Sequence, residues 1–156
     1  KDVVEVAESK ENAINTFMKL LEYGIIPIVN ENDTISTKEA EFGDNDTLSA
    51  VVATLAEAGL LVILTDIDGV YDSNPKEHDD AKMIDIVENV DDIMCVAGGA
   101  GSSLGTGGMV TKLEAAKIAG EKGIHTIIMG GSNPKRLYDI PEGKPVGTLL
   151  KGDATK

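Results

Sequence analysis

Tryptophan is absent from this 156-residue chain, and aromatic residues make up only 3% of it. Any core must therefore be built from Val, Ile, Leu, Ala and Met. The length corresponds to about one ordinary domain, and the 42% hydrophobic content is enough for a real core. Cys95 is the single cysteine, so no intrachain disulfide can form. It reads as a small buried apolar residue. His78 and His125 stand alone, and no zinc-type Cys/His spacing exists. Positive charge is scarce: 14 Lys and Arg face 27 Asp and Glu, for a net charge of −13. That balance argues against a nucleic-acid backbone or an anionic membrane as partner. A nucleotide can still bind through a local lysine, backbone N–H groups and Mg²⁺. No apolar run is long enough to span a bilayer, and no signal-peptide pattern opens the sequence. The expected compartment is a reducing cytoplasm.

What the chain does have is an alternation of helical and strand patterns. Residues 9–23 read as an amphipathic helix, with Ser9 as N-cap, Ile14, Phe17, Met18 and Leu21 as its buried stripe, and Gly24 at C′. Residues 25–29 read as a buried strand, although Pro27 argues for an irregular or edge position. Asn45 or Asp46 caps a helix expected to reach Ala58, with Leu48, Val51, Val52 and Leu55 inward and Gly59 as its stop. Residues 60–64 form a continuous apolar strand, as expected when both faces are covered. The acidic stretch 76–92 reads as solvated surface. A glycine-rich loop at 98–108 precedes a helix over 109–122, ended by Gly123. Residues 124–129 form a strand, 135–138 a short helix and 146–150 a final strand. Such alternation predicts an α/β fold, a mostly parallel sheet sandwiched by helices in three layers.

Polar stations follow the strands, where α/β sheets bind ligands. Asn30-Glu31-Asn32-Asp33 follows the first strand, Gly43-Asp44-Asn45-Asp46 opens a helix, and Thr65-Asp66 ends the strand at 60–64. Asp44 and Asp46 would repel phosphate directly. They can hold Mg²⁺ or orient a lysine that touches phosphate, and an Asx-rich helix cap would explain them equally well. Thr106-Gly-Gly-Met-Val-Thr-Lys112 is the strongest local motif. Its glycines let backbone N–H groups approach an anion, the helix adds its positive end, and Lys112 lies in the first turn. It is not a Walker A loop, since Leu113 follows the lysine. It is not a dinucleotide fingerprint, since positions 104 and 110 are Leu and Val.

Together with Leu64-Thr-Asp-Ile-Asp-Gly-Val-Tyr71 and Val146-Gly-Thr-Leu149, these segments resemble the amino acid kinase family, in its glutamate-phosphorylating branch. The resemblance runs from about residue 9 to the end, in the family's order. It implies transfer of the ATP γ-phosphoryl group, with Mg²⁺, to the γ-carboxylate of L-glutamate, the first step of proline synthesis. It places Asn30, Asp33 and Asn45 at the glutamate. Thr65, Asp66, Thr106, Gly107, Gly108, Met109, Val110, Thr111 and Lys112 fall at ATP. Asp46 and Lys112 become the catalytic pair, and no metal-ligand residue is assigned. It further implies feedback inhibition by proline, a homo-oligomer, and hand-over of the acyl phosphate to glutamate-5-semialdehyde dehydrogenase. Residues 1–8 do not carry the family's opening lysine strand and glycine turn. Residues 1–156 are therefore expected to be the later part of a kinase domain, inactive in isolation and without the RNA-modification-type (PUA) domain many members carry. The alternatives are a sister kinase acting on aspartate, N-acetylglutamate, uridylate or carbamate, and a non-catalytic nucleotide or amino-acid sensor.

Overall fold

The computed structural model describes residues 7–30, 45–97 and 107–153. In chain order the elements are helices α1 (Ala7–Glu22) and α2 (Asn45–Leu55), strands β1 (Leu60–Thr65) and β2 (Ile86–Val87), and helices α3 (Val90–Ala97) and α4 (Gly107–Gly120). Strand β3 (His125–Gly130), a 3₁₀ helix (Pro134–Asp139) and strand β4 (Thr148–Leu150) follow. The sheet order is β1-β3-β4-β2. β1 and β3 run parallel, as do β2 and β4, while β3 and β4 are antiparallel. The expected α/β class with a mostly parallel sheet is thus borne out. Among the described residues, no helix is long and apolar enough to cross a membrane.

Register decides which side chains share a face. Leu61, Ile63, Thr126, Ile128, Thr148 and Leu150 line one face, since Leu61 lies beside Thr126, Ile63 beside Ile128, and Thr148 beside Ile128. Helices α2, α3 and α4 pack on that face in one core with Val70, Val87 and Val90. Fully burying a side chain such as Leu113 or Ile128 contributes about 1.5–3 kcal/mol. The opposite face holds a smaller cluster of Ile127, Met129 and Val146 with Leu60, Val62 and Ile140. Cover is thinner there, and Leu64 remains 44% exposed. The expectation that this strand is covered on both faces holds fully only on the helical side.

The helix ends carry a recurring device. At α1, Ile25 N–H bonds to the Leu20 carbonyl and Gly24 N–H to that of Leu21, with Gly24 at φ +71. Gly123 does the same for α4 at φ +75, with Ile124 N–H on Ala119 and Gly123 N–H on Gly120. These are Schellman caps, and glycine fits them because the left-handed backbone clashes with a Cβ. At α2 the expected Gly59 is not the cap. Glu57 occupies C′ at φ 50, with Ala58 N–H on the Ala53 carbonyl. The helix therefore stops at Leu55 instead of Ala58.

Other expectations are corrected. The inner face of α2 is Ala50, Ala53 and Leu55, while Leu48, Val51 and Val52 are half-buried. Helix α4 likewise buries Ala115, Ala116 and Ala119. Small residues on both helices permit close axial approach. Residues 25–29 do not form a buried strand: Ile26 and Ile28 are 85% and 97% exposed. Pro27 supplies no N–H for a ladder, and no strand among the described residues pairs with the segment. On α1, Met18 and Leu21 are exposed at 42% and 46%, so the stripe is only partly covered. The stretch 76–92 hides short elements that its charge obscured. β2 pairs with β4, and Asn89 caps α3 by accepting a bond from Asp91 N–H at 3.0 Å. Asp79, Asp80, Asp85, Asp91 and Asp92 are exposed as expected. Ser9 and Cys95 fall in helices, but their side chains are not among those described.

Candidate active site

The connections 56–59 and 121–124 are too short to do anything but turn the chain back on itself. Helices α2 and α4 therefore run antiparallel to the strands they precede, β1 and β3. Their N-termini lie at the carboxyl ends of those strands, the usual crevice of an α/β sheet. Asn45 and Asp46 begin α2, Gly107 and Gly108 begin α4, and Thr65 and Asp66 close β1.

Packing of α2 along α4 brings Asp46 and Lys112 together across 66 positions of sequence. Lys112 Nζ donates to Asp46 Oδ2 at 3.0 Å, and Thr111 Oγ1 lies 3.0 Å from the same oxygen. Both the lysine and the threonine also reach the Gly108 carbonyl, at 3.3 and 3.0 Å. The charged side chains are only 15% and 13% exposed. A desolvated pair of this kind is held in one geometry, unlike a surface ion pair. The first N–H groups of α4, which have no intrahelical acceptor, point from the same place. The result is a cationic group beside the N–H groups that open one helix, fixed by a carboxylate behind it. That arrangement suits phosphate oxygens.

The other predicted residues divide. Asn30 and Asn45 line one cleft of about 860 Å³, together with Val29, Leu48, Ser49 and Val52. Thr65 donates from Oγ1 to Asp66 Oδ1 at 3.1 Å, and its carbonyl accepts a bond from Gly131 N–H at 2.8 Å. Met109 is 6% exposed and packs in the core, so it can offer a ligand its backbone but not its side chain. Val110 is half-buried and Gly108 exposed. Asp33 and Thr106 lie outside the described residues. Among the described residues, no three metal-ligating side chains gather.

Features beyond the predicted motifs frame the strand-end loop. Tyr71 Oη donates to Asp68 Oδ1 at 2.8 Å, and this bond is the chief cause holding the phenol above its ordinary value of 10.0. Thr148 is fully buried and bonds across to the same loop, at Val70. Its place in Val-Gly-Thr-Leu was visible in the sequence, but its partner 78 positions away was not. His125 Nδ1 accepts a bond from Gly152 N–H at 2.9 Å, which ties the start of β3 to the segment after β4.

The sequence profile of the amino acid kinase family matches residues 2–130. This chain belongs to the amino acid kinase family. Among curated relatives, the glutamate 5-kinase of Clostridium perfringens is 54% identical over 155 residues, covering 96% of this chain and 58% of that protein. The glutamate 5-kinase of Geobacter sulfurreducens is 54% identical over 140 residues, covering 89% of this chain and 38% of that protein. The chain thus spans about 58% of the first relative and 38% of the second. Among solved structures, UMP kinase from Bacillus anthracis shares the fold at TM-score 0.64 and 21% identity, over 93% of this chain and 52% of that one. Carbamate kinase from Giardia lamblia bound to AMP-PNP does so at 0.63 and 23%, over 90% and 49%.

Proposed function

We propose that the protein carrying this chain is a glutamate 5-kinase, transferring the γ-phosphoryl group of ATP to the γ-carboxylate of L-glutamate. The observation that carries this reading is the largely enclosed Asp46–Lys112 pair, 15% and 13% exposed, beside the start of α4. It is supported by the identity to glutamate 5-kinases along nearly the whole chain.

The γ-carboxylate is already ionised near neutral pH, so the reaction needs no general base. Catalysis reduces to alignment and charge stabilisation of the moving phosphoryl group. Lys112 supplies a positive charge at the phosphates, and Asp46 fixes where that charge sits. Gly107 and Gly108 expose the N–H groups that open α4, with Thr106, Met109, Val110 and Thr111 completing the segment around the nucleotide. Thr65 and Asp66 form the nucleotide's other wall. Asn45, Asn30 and Asp33 hold the amino acid. Mg²⁺, bound through the nucleotide, would neutralise charge on the β- and γ-phosphates. The product is a reactive acyl phosphate, L-glutamyl 5-phosphate, consumed by a reductive enzyme in proline biosynthesis. Proline as inhibitor, homo-oligomeric assembly and a cytoplasmic setting complete the reading.

The test is full-length protein with Mg²⁺ and ATP, offered glutamate, aspartate, N-acetylglutamate, UMP and carbamate in turn. Hydroxylamine would trap an acyl phosphate as its hydroxamate. Glutamate-dependent hydroxamate is the expected result. ATP consumption only with another acceptor points to a sister kinase, and binding heat without transfer points to a sensor. Within the site, Asp46→Asn should lower turnover more than glutamate binding, and Asn45→Ala the reverse.

A further inference from the structure

The loop after β1 is tethered at both ends, and the second tether uses a side chain from a distant strand. At its start, Thr65 lies beside Gly130 in the ladder, and the Thr65 carbonyl accepts a bond from Gly131 N–H at 2.8 Å. Past the loop, residues 70–72 run against 82–84. Ile84 N–H bonds to the Val70 carbonyl at 2.8 Å, and Asp72 N–H to that of Lys82 at 3.0 Å. In a regular antiparallel pair, Val70 N–H would return a bond to the Ile84 carbonyl. Here the Thr148 hydroxyl is inserted between them. It accepts from Val70 N–H at 2.8 Å and donates to the Ile84 carbonyl at 2.6 Å.

The neighbouring glycines leave no slack around this insertion. A Cβ on Gly69 would come within 2.8 Å of Thr148 Oγ1 and 2.7 Å of Met83 Sδ. Gly147, at φ +68, lies so close that a Cβ would overlap the Ile128 carbonyl and reach 2.9 Å from that of Asp68. The backbone of residues 68–70 therefore lies directly on residues 147–148. With Val70 fixed, only Asp66 to Gly69 span the two tethers, so the direction of Thr65 and Asp66 depends on where Val70 is held.

We propose that Thr148 is a positioning residue for nucleotide binding: its buried hydroxyl sets the loop that presents Thr65 and Asp66. This rests on the reading of those two residues as nucleotide contacts. Asn30, Asn45 and the Asp46–Lys112 pair belong to other elements. The effect should therefore fall on the nucleotide and spare the amino acid.

The experiment uses the full-length protein with Thr148→Val, Thr148→Ser and Thr126→Val. Thr126 is equally buried on the same face, but its hydroxyl has no partner, which makes it the control for the chemical change itself. Binding of Mg²⁺ with the non-hydrolysable analogue AMP-PNP is measured by calorimetry, alongside KM for ATP and for glutamate. Thr148→Val should weaken AMP-PNP binding and raise the ATP KM at least tenfold, with the glutamate KM within twofold. Thr148→Ser keeps the hydroxyl and should stay within threefold of wild type, as should Thr126→Val. Folded Thr148→Val with unchanged nucleotide binding would overturn the proposal, as would a parallel rise in both KM values. If Thr148→Val does not fold, a tenfold loss in Thr148→Ser would overturn it as well. Wild-type protein that binds nucleotide without phosphorylating glutamate leaves this test intact and sinks only the substrate assignment. Wild-type protein that binds no nucleotide overturns both.

Discussion

Replacing Lys112 by Met removes the charge and keeps an unbranched stem, so it isolates the ion pair from packing. At 3.0 Å and an effective dielectric constant near 20, the gross attraction to Asp46 is about 5–6 kcal/mol. Most of it is offset, because side chains 15% and 13% exposed have given up most of their hydration. The net coupling should be about 1–3 kcal/mol, above the roughly 0.2–1 kcal/mol of exposed pairs. Lys112→Met alone should cost about 2–3 kcal/mol, below the ~3–5 of a fully stranded charge, since Thr111 still donates to Asp46. The assay is a double-mutant cycle of Lys112→Met and Asp46→Asn, read by urea unfolding of the full-length protein. Lys117 with Asp91, at 44% and 58% exposure, is the surface comparison. Its coupling should be under about 0.5 kcal/mol and should fade in high salt. Additivity within about 0.5 kcal/mol at Asp46 and Lys112 would refute the reasoning. Kinetically, Lys112→Ala should slow phosphoryl transfer or weaken ATP use at least about tenfold, a loss of about 1.4 kcal/mol.

Thr126→Val should stabilise the protein by about 1 kcal/mol, because it removes a buried hydroxyl that has no partner and keeps the shape. The same change at Thr148 should cost about 1–3 kcal/mol, since it strands Val70 N–H. Thermal unfolding of both variants checks the opposite signs. Glu57→Gly should stabilise by about 0.5–1 kcal/mol by relieving the left-handed backbone at the α2 cap, and a lowered unfolding midpoint would count against that cap. Tyr71 should give a tyrosinate absorbance step above pH 10 that vanishes in Tyr71→Phe. Because its pKa is raised in the fold, its contribution to stability is complete below the unfolded value near 10 and is lost as pH rises through the folded one. A Tyr71 phenol that instead titrates at the ordinary value near 10 would exclude the Asp68 bond.

The sequence alone determined what is periodic or local. The apolar runs at 60–64 and 124–129 are strands, Gly24 and Gly123 end their helices, and a helix carries Lys112, although it starts at Gly107 where Met109 was expected. Each of these signals is complete within a few residues, because helix pitch, strand alternation and φ > 0 are short-range demands on the backbone. The motifs also named Asp46 and Lys112, but only alanine-lined contact between α2 and α4 put them 3.0 Å apart. Tertiary structure likewise decided that Glu57 takes a place suited to glycine, and that residues 25–29 find no partner strand among the described residues. It also separated two like threonines: Thr126 is left without a partner, while Thr148 replaces a backbone hydrogen bond. Nothing near a threonine in sequence tells these fates apart, since the hydroxyl's worth is set by the groups that folding brings against it from elsewhere in the chain.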